Sequence, residues 1–380
     1  MPHQILGIGL TGKSLTDLER RILGEITPYA VVLFGRNIGE ADETRELIRE
    51  VKAISQRPPL MMIDEEGGRV DRLRHLLPGL PSAEAFAEGD QPAEMAAWGG
   101  RLIGMALRWL DIEVDLAPVV DVRGEVSPKG LERRTFSDDP ETVVELAGAF
   151  LRGLHASGTA SCLKHYPGIG TGSADPHYGA TVIDVSLQEL IDRDLIPFAR
   201  LGDEAGAIMI GHGCYPQLDD ADLPASLSRR ITTQLLRETT GFDGLAVSDD
   251  MEMHAVSDLG SYESISERAF LAGNDVIMFA SHIERVGDVQ QFLKRKVGAG
   301  ASFQARYEDA TRRCDRYRDH VAAIRAAAPP PAATFDEILD EAARFTAAFA
   351  PSRQSATPDS DRRKAQRVPG KGHTGREEWT

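Results

Sequence analysis

Eight short apolar, β-branched runs recur along most of this chain, at residues 4–10, 31–36, 59–64, 113–119, 159–165, 206–212, 244–249 and 276–281. Helical patterns lie between most of them, at 14–26, 40–54, 91–109, 139–156, 186–202, 228–239 and 262–272. Continuous apolar strands separated by helices describe a parallel sheet covered by helices on its outer side. Eight such units predict an α/β chain folded as a single (β/α)8 TIM-type barrel. Local signals agree: Asp139-Pro140-Glu141 places Pro at a first helical position, and Ser186 with Glu189 has capping-box spacing.

The division that follows is a barrel over 1–300, C-terminal helices over 301–350 and a tail over 351–380. The helices are expected at 303–327 and 335–349, separated by Pro329-Pro330-Pro331. The tail is rich in Ser, Pro, Arg, Lys and Gly and nearly free of aliphatic residues, so it is expected to be disordered.

The net charge of −16 argues against nucleic acid or an anionic membrane as a partner, because the long-range field repels both. No basic segment followed by a long apolar core opens the chain, and no run is long enough to cross a bilayer, so a cytoplasmic location is the default expectation. Cys162, Cys214 and Cys314 are odd in number and widely spaced, which points to buried core thiols rather than disulfides or a zinc site.

In a barrel of this kind the functional residues lie where the strands end. Here those ends carry Arg36 and Asn37, Asp64, Asp121, Lys164 and His165, His212, and Asp249 and Asp250. So many polar residues on one rim suggest a site for a polar ligand. After Lys164-His165 comes a loop of Gly and small residues that carries Asp175 and His177 two positions apart. Histidine exchanges protons near neutral pH, and a neighbouring Asp fixes its tautomer. That is the composition of a mobile general acid/base.

The string KHYPGIGTGSADPH at 164–177 resembles the signature of bacterial family 3 glycoside hydrolases, in the β-N-acetylhexosaminidase branch. IDEEGGRVDRL at 63–73, APVVDV at 117–122, ERRTFSDDP at 132–140 and AVSDDMEM at 246–253 match in order. The resemblance implies that Asp64, Arg72, Arg134, Lys164 and His165 bind the terminal sugar. It implies that Asp249 is the nucleophile and that Asp175 and His177 form the acid/base dyad. Residue types alone leave Asp249 and Asp250 indistinguishable, and Arg69 and Arg133 rival their neighbours. His212 either touches the sugar, positions Asp249, or is a satisfied core histidine.

Two positions depart from the pattern. Ile169 stands where His is usual, and Pro176, where Ser or Thr is usual, restricts the backbone inside the dyad.

The expected activity is retaining exo-hydrolysis of terminal N-acetylglucosamine from small saccharides such as muropeptide fragments. A neutral acid/base also keeps phosphorolysis open, and a β-glucosidase preference is a further alternative. A metal-dependent hydrolase using His165, His177, His212 and Asp249 is a remote one, since no His-x-His pair ends an early strand. No cofactor or metal is expected. The expected partner is a small N-acetylglucosamine-containing saccharide, and the expected state a monomer or weak homo-oligomer.

Overall fold

The computed structural model describes residues 5–77, 79–125, 128–174 and 181–349. Among these, strands form in all eight apolar runs. They are β1 (Leu6–Gly9), β2 (Ala30–Leu33), β3 (Leu60–Ile63), β4 (Val114–Asp115), β5 (Ala160–Ser161) and β6 (Leu163–Tyr166). A short pair follows, β7 (Ser173–Ala174) and β8 (Thr181–Val182), and then β9 (Ala207–Ile210), β10 (Leu245–Asp250) and β11 (Val276–Phe279).

The main sheet runs in the order β5-β4-β3-β2-β1-β11-β10-β9-β6, with every pairing parallel. The two edge strands, β5 and β6, belong to the same apolar run, interrupted at Cys162. One run therefore serves both edges, and the eight runs make a (β/α)8 barrel.

Strand alternation sorts side chains between two cores. Val32, Met62, Leu116, Cys162, Met209, Val247 and Met278 belong to one buried cluster inside the barrel. Their neighbours Val31, Leu33, Met61, Ile63, Ile208, Ile210 and Ala246 belong to a larger one, between strands and helices. On β1 the inward place of a side chain is taken by Gly7, where an added Cβ would lie 2.1 Å from Met278 Sδ. Continuing the inward series by one step of two leads from Met62 to Asp64, from Cys162 to Lys164 and from Val247 to Asp249. The register that fills the barrel with apolar groups thus delivers a polar layer at its C-terminal end.

The opposite end is stoppered by the helix Ala301–Ala327, which places Cys314, Tyr317 and Val321 in the interior cluster. Tyr317 Oη donates to Ser161 O at 2.8 Å, and Tyr29 Oη donates to Cys314 O at 3.0 Å. Asp275, fully buried just before β11, is gripped by Arg237 at 2.8 Å and Arg306 at 2.9 Å. All three cysteines are buried and free.

Thr16, Asp139 and Ser186 cap their helices through side-chain oxygens, with Pro140 in the first turn of the second. The 186–202 stretch is helical to Ala205, with a π-helical segment at Leu190–Asp194, and the 228–239 stretch is π-helical over Arg230–Thr239. The sequence reading passed over the helix Ile283–Ala299. It begins directly after β11 at His282, which makes no side-chain capping bond, so the usual start signal is missing. The tail 351–380 lies outside the described residues.

Truncating the stopper opens a cavity beneath the polar layer. Tyr317→Ala is expected to destabilise the fold by about 3–5 kcal/mol, read as a lower urea midpoint, with the substrate affinity of the folded fraction unchanged.

Candidate active site

The barrel mouth holds a cavity of about 430 Å³ lined by Asp64, Glu66, Arg72, Arg134, Lys164, His165, His212, Asp249 and Asp250, with Phe34, Leu131 and Met253 among its apolar walls. Its size falls in the usual range for small-molecule sites, roughly 300–1,000 Å³. All of the sugar-binding candidates named from sequence line it, as does Asp249.

At its floor lies a formally neutral ion cluster. Lys164 Nζ sits 2.6 Å from Asp64 Oδ1 and 2.6 Å from Glu66 Oε1, with its side chain only 2% exposed. Arg134 forks onto the same Glu66, Nε to Oε2 at 2.7 Å and Nη2 to Oε1 at 2.8 Å. Burial alone would push the Glu66 carboxyl up, but Lys164 and Arg134 outweigh it and hold it down at about 2. Burial likewise opposes the Lys164 charge, yet Asp64 and Glu66 raise its pKa above the ordinary lysine value. Glu66 and Lys164 are therefore both ionised at neutral pH.

The loop that supplies Asp64 and Glu66 is folded around Glu65. Its buried carboxyl group accepts from the backbone N–H groups of Gly67 at 3.2 Å, Arg72 at 2.7 Å and Leu73 at 2.9 Å. Gly68 has φ +58, and a Cβ there would meet Ser82 Cβ at 2.6 Å. The close approach this glycine permits is to the protein itself. Arg72 reaches the cavity with its guanidinium 5.8 Å from the Phe34 ring centroid, and its Nε is buried without a hydrogen-bond partner. Arg69 and Arg133 point elsewhere, to Glu132 and Glu84 respectively. Geometry thus separates each arginine from its neighbour.

Asp249 and Asp250 separate as clearly. Asp249 continues the inward series of β10 into the cavity. Asp250 Oδ1 instead accepts from the N–H groups of Glu252 and Ala280, each at 3.1 Å, as a loop-organising residue does. Burial works against the Asp249 charge, but its polar neighbours, among them the Asp250 N–H and Lys164, outweigh it and hold its pKa below the ordinary carboxylate value. Burial pushes Asp250 up to about 6. An ionised carboxylate at the cavity floor suits nucleophilic attack.

His165 is oriented by Asp121, with Nδ1 to Oδ2 at 2.8 Å, while the other oxygen of Asp121 accepts from Ile169 N at 2.8 Å. The position that departs from the pattern therefore still anchors the loop by its backbone. Arg36 and Asn37, grouped with the rim from sequence, brace neighbouring loops: Asn37 donates to Leu10 O and Gly12 O, and Arg36 to Leu10 O and Ala280 O.

The segment carrying Asp175 and His177 leaves β7 and returns in β8, paired antiparallel, and Thr181 of β8 lines the cavity. Asp175, Pro176 and His177 lie outside the described residues. No group of three or more metal-ligating side chains occurs among the described residues. His212 has both ring nitrogens engaged, by Ser226 and by the Asp250 carbonyl.

The "Glycosyl hydrolase family 3 N terminal domain" signature matches residues 14–316. The chain belongs to glycoside hydrolase family 3. It is 38% identical over 272 residues to a β-hexosaminidase of Pseudomonas aeruginosa, covering 71% of this chain and 80% of that one. The family fold is shared with a β-N-acetylglucosaminidase from Paenibacillus sp., with a TM-score of 0.81 and 27% identity over 90% of this chain and 66% of that one. NagZ of Neisseria gonorrhoeae, solved with N-trifluoroacetyl-D-glucosamine, superposes with a TM-score of 0.70 and 25% identity, covering 86% of this chain and 99% of that one. As a family 3 enzyme the protein is a glycoside hydrolase. No described helix is long and apolar enough to cross a membrane.

Sequence reasoning missed Glu66 and Asp121 as site residues. Glu66 lies two residues beyond Asp64, a spacing that was available as a signal, whereas Asp121 read only as one more polar strand end.

Glu66 also sets an acid limit on stability. Its folded pKa of about 2 lies below its ordinary value of 4.5, so its contribution is complete above about pH 4.5 and is lost as pH falls toward 2. Glu66→Gln should lower stability at pH 7 by roughly 3 kcal/mol. The gap to wild type should close between about pH 4.5 and 2 in denaturant melts.

Proposed function

We propose that this family 3 enzyme is a retaining exo-β-N-acetylglucosaminidase, acting on small saccharides such as muropeptide fragments. The observation that carries the reading is Asp249, held ionised in a cavity whose other wall is the Asp64–Lys164–Glu66–Arg134 cluster. The cluster offers hydrogen-bond donors and acceptors matched to sugar hydroxyls. Relatives named β-hexosaminidase, and a structural neighbour holding an N-acylated glucosamine, support the choice of sugar.

In this mechanism an Asp249 oxygen attacks the anomeric carbon as the glycosidic C–O bond breaks, and His177 gives its proton to the leaving oxygen. His177 then takes a proton from water, whose oxygen displaces Asp249 and regenerates the enzyme. The role of His177, with Asp175 as its partner, rests on the motif resemblance. Thr181, at the start of β8, lines the cavity.

The test is turnover of an aryl β-N-acetylglucosaminide against the matching β-glucoside, with chelator present and with or without phosphate. The N-acetyl substrate should be preferred and the activity should survive the chelator. Asp249→Asn should lose about 10⁴-fold or more in kcat/KM, and His177→Ala about 10²–10⁴-fold. Preference for the glucoside would overturn the substrate, release of a sugar 1-phosphate would overturn hydrolysis, and loss of activity to chelator would overturn the mechanism.

A further inference from the structure

We propose that Ser226 and His212 are a positioning pair for the nucleophile, acting through Asp250; the proposal rests on the reading of Asp249 given above. His212 Nε2 lies 2.9 Å from the Asp250 carbonyl oxygen. A carbonyl carries no proton, so Nε2 must supply it. In the neutral ring Nδ1 is then bare. Ser226 Oγ, 2.7 Å from Nδ1, must therefore be the donor. The hydroxyl of Ser226 thus selects the tautomer that lets His212 hold the Asp250 carbonyl.

The mount is rigid. Ser226 is fully buried in the turn Ala225–Leu227. Its carbonyl accepts from Asn274 Nδ2 at 2.7 Å, Ala225 N donates to Gly213 O at 2.8 Å, and Ala225 O accepts from Thr232 Oγ1 at 2.7 Å. Asp250 is held from the other side by the N–H groups of Ala280 and Glu252 on its carboxylate. With its carbonyl held by His212 and its side chain by these N–H groups, its own N–H donates to Asp249 Oδ1 at 2.8 Å. That bond fixes the carboxylate plane and biases attack to the other oxygen. Among ionisable groups, Asp249 and His165 face the His212 ring.

Removing the Ser226 hydroxyl frees the ring to carry its proton on Nδ1. A bare Nε2 would then oppose the Asp250 oxygen, acceptor against acceptor, and the Asp250 N–H would shift with the carbonyl. Displacements of this kind cost rate more than binding.

The experiment joins two readouts on the full chain. Two-bond ¹H–¹⁵N spectra of histidine-labelled protein at pH 7 should show His212 protonated on Nε2 in wild type and in Ser226→Thr, and no longer confined to that form in Ser226→Ala. On an aryl β-N-acetylglucosaminide, Ser226→Ala should lose kcat by about 10–10²-fold with KM within about twofold, and Ser226→Thr should recover most of it. A wild-type ring protonated on Nδ1 overturns the proposal. So does an unchanged kcat in Ser226→Ala, or a loss confined to KM. If Ser226→Ala does not fold, the wild-type and Ser226→Thr spectra still decide. If wild type does not turn over the substrate, the substrate reading fails, while the spectra judge the hydrogen-bond chain separately.

Discussion

The ammonium of Lys164, almost wholly withdrawn from water between Asp64 and Glu66, is the interaction on which the rest of the mouth depends. A buried charge left without its partner typically costs about 3–5 kcal/mol, so none of the group is expendable singly. Arg134 closes the set by a two-pronged grip on Glu66 that lysine would not reproduce. The outcome is a rigid, formally neutral floor on top of an apolar barrel. It presents both donors and acceptors without a net field that would reject a neutral sugar.

That floor also shapes the electrostatics of Asp249. Lys164 stabilises its negative form across the cavity, as does the Asp250 N–H beside it. Its neighbour Asp250, with the same chemistry and one residue away, is pushed up by burial and spends its carboxylate on backbone N–H groups. The difference between the proposed nucleophile and its neighbour is a matter of strand parity: one side chain continues the inward series of the barrel and the other turns to backbone N–H groups of the loops.

The barrel was legible because its constraint is periodic. Eight apolar runs separated by helical patterns leave few other ways to bury so much strand surface, and the polar punctuation after six of those runs marked the rim that holds the cavity. The choices between adjacent like residues were not legible from composition. Arg72 against Arg69, Arg134 against Arg133 and Asp249 against Asp250 turned on the family motif, and in space they turn on register and on which partner stands opposite. Glu66 and Asp121 escaped because their partners are distant in sequence: Arg134 lies 68 residues from Glu66, and His165 lies 44 from Asp121. Ser226 left no trace for the same reason, since a serine in a short turn becomes informative only when a histidine ring is seen against it.

Trapping the covalent intermediate tests the central claim most directly. A 5-fluoro N-acetylglucosaminyl fluoride, whose electron-poor ring slows breakdown of a glycosyl-enzyme, would be incubated with the protein, which is then digested and read by mass spectrometry. The account predicts one added N-acetyl-fluoroglucosaminyl group, on the peptide containing Asp249 and on that residue by fragmentation. A label on Asp250 or on another residue, or turnover of the reagent with no adduct at any time point, would contradict it.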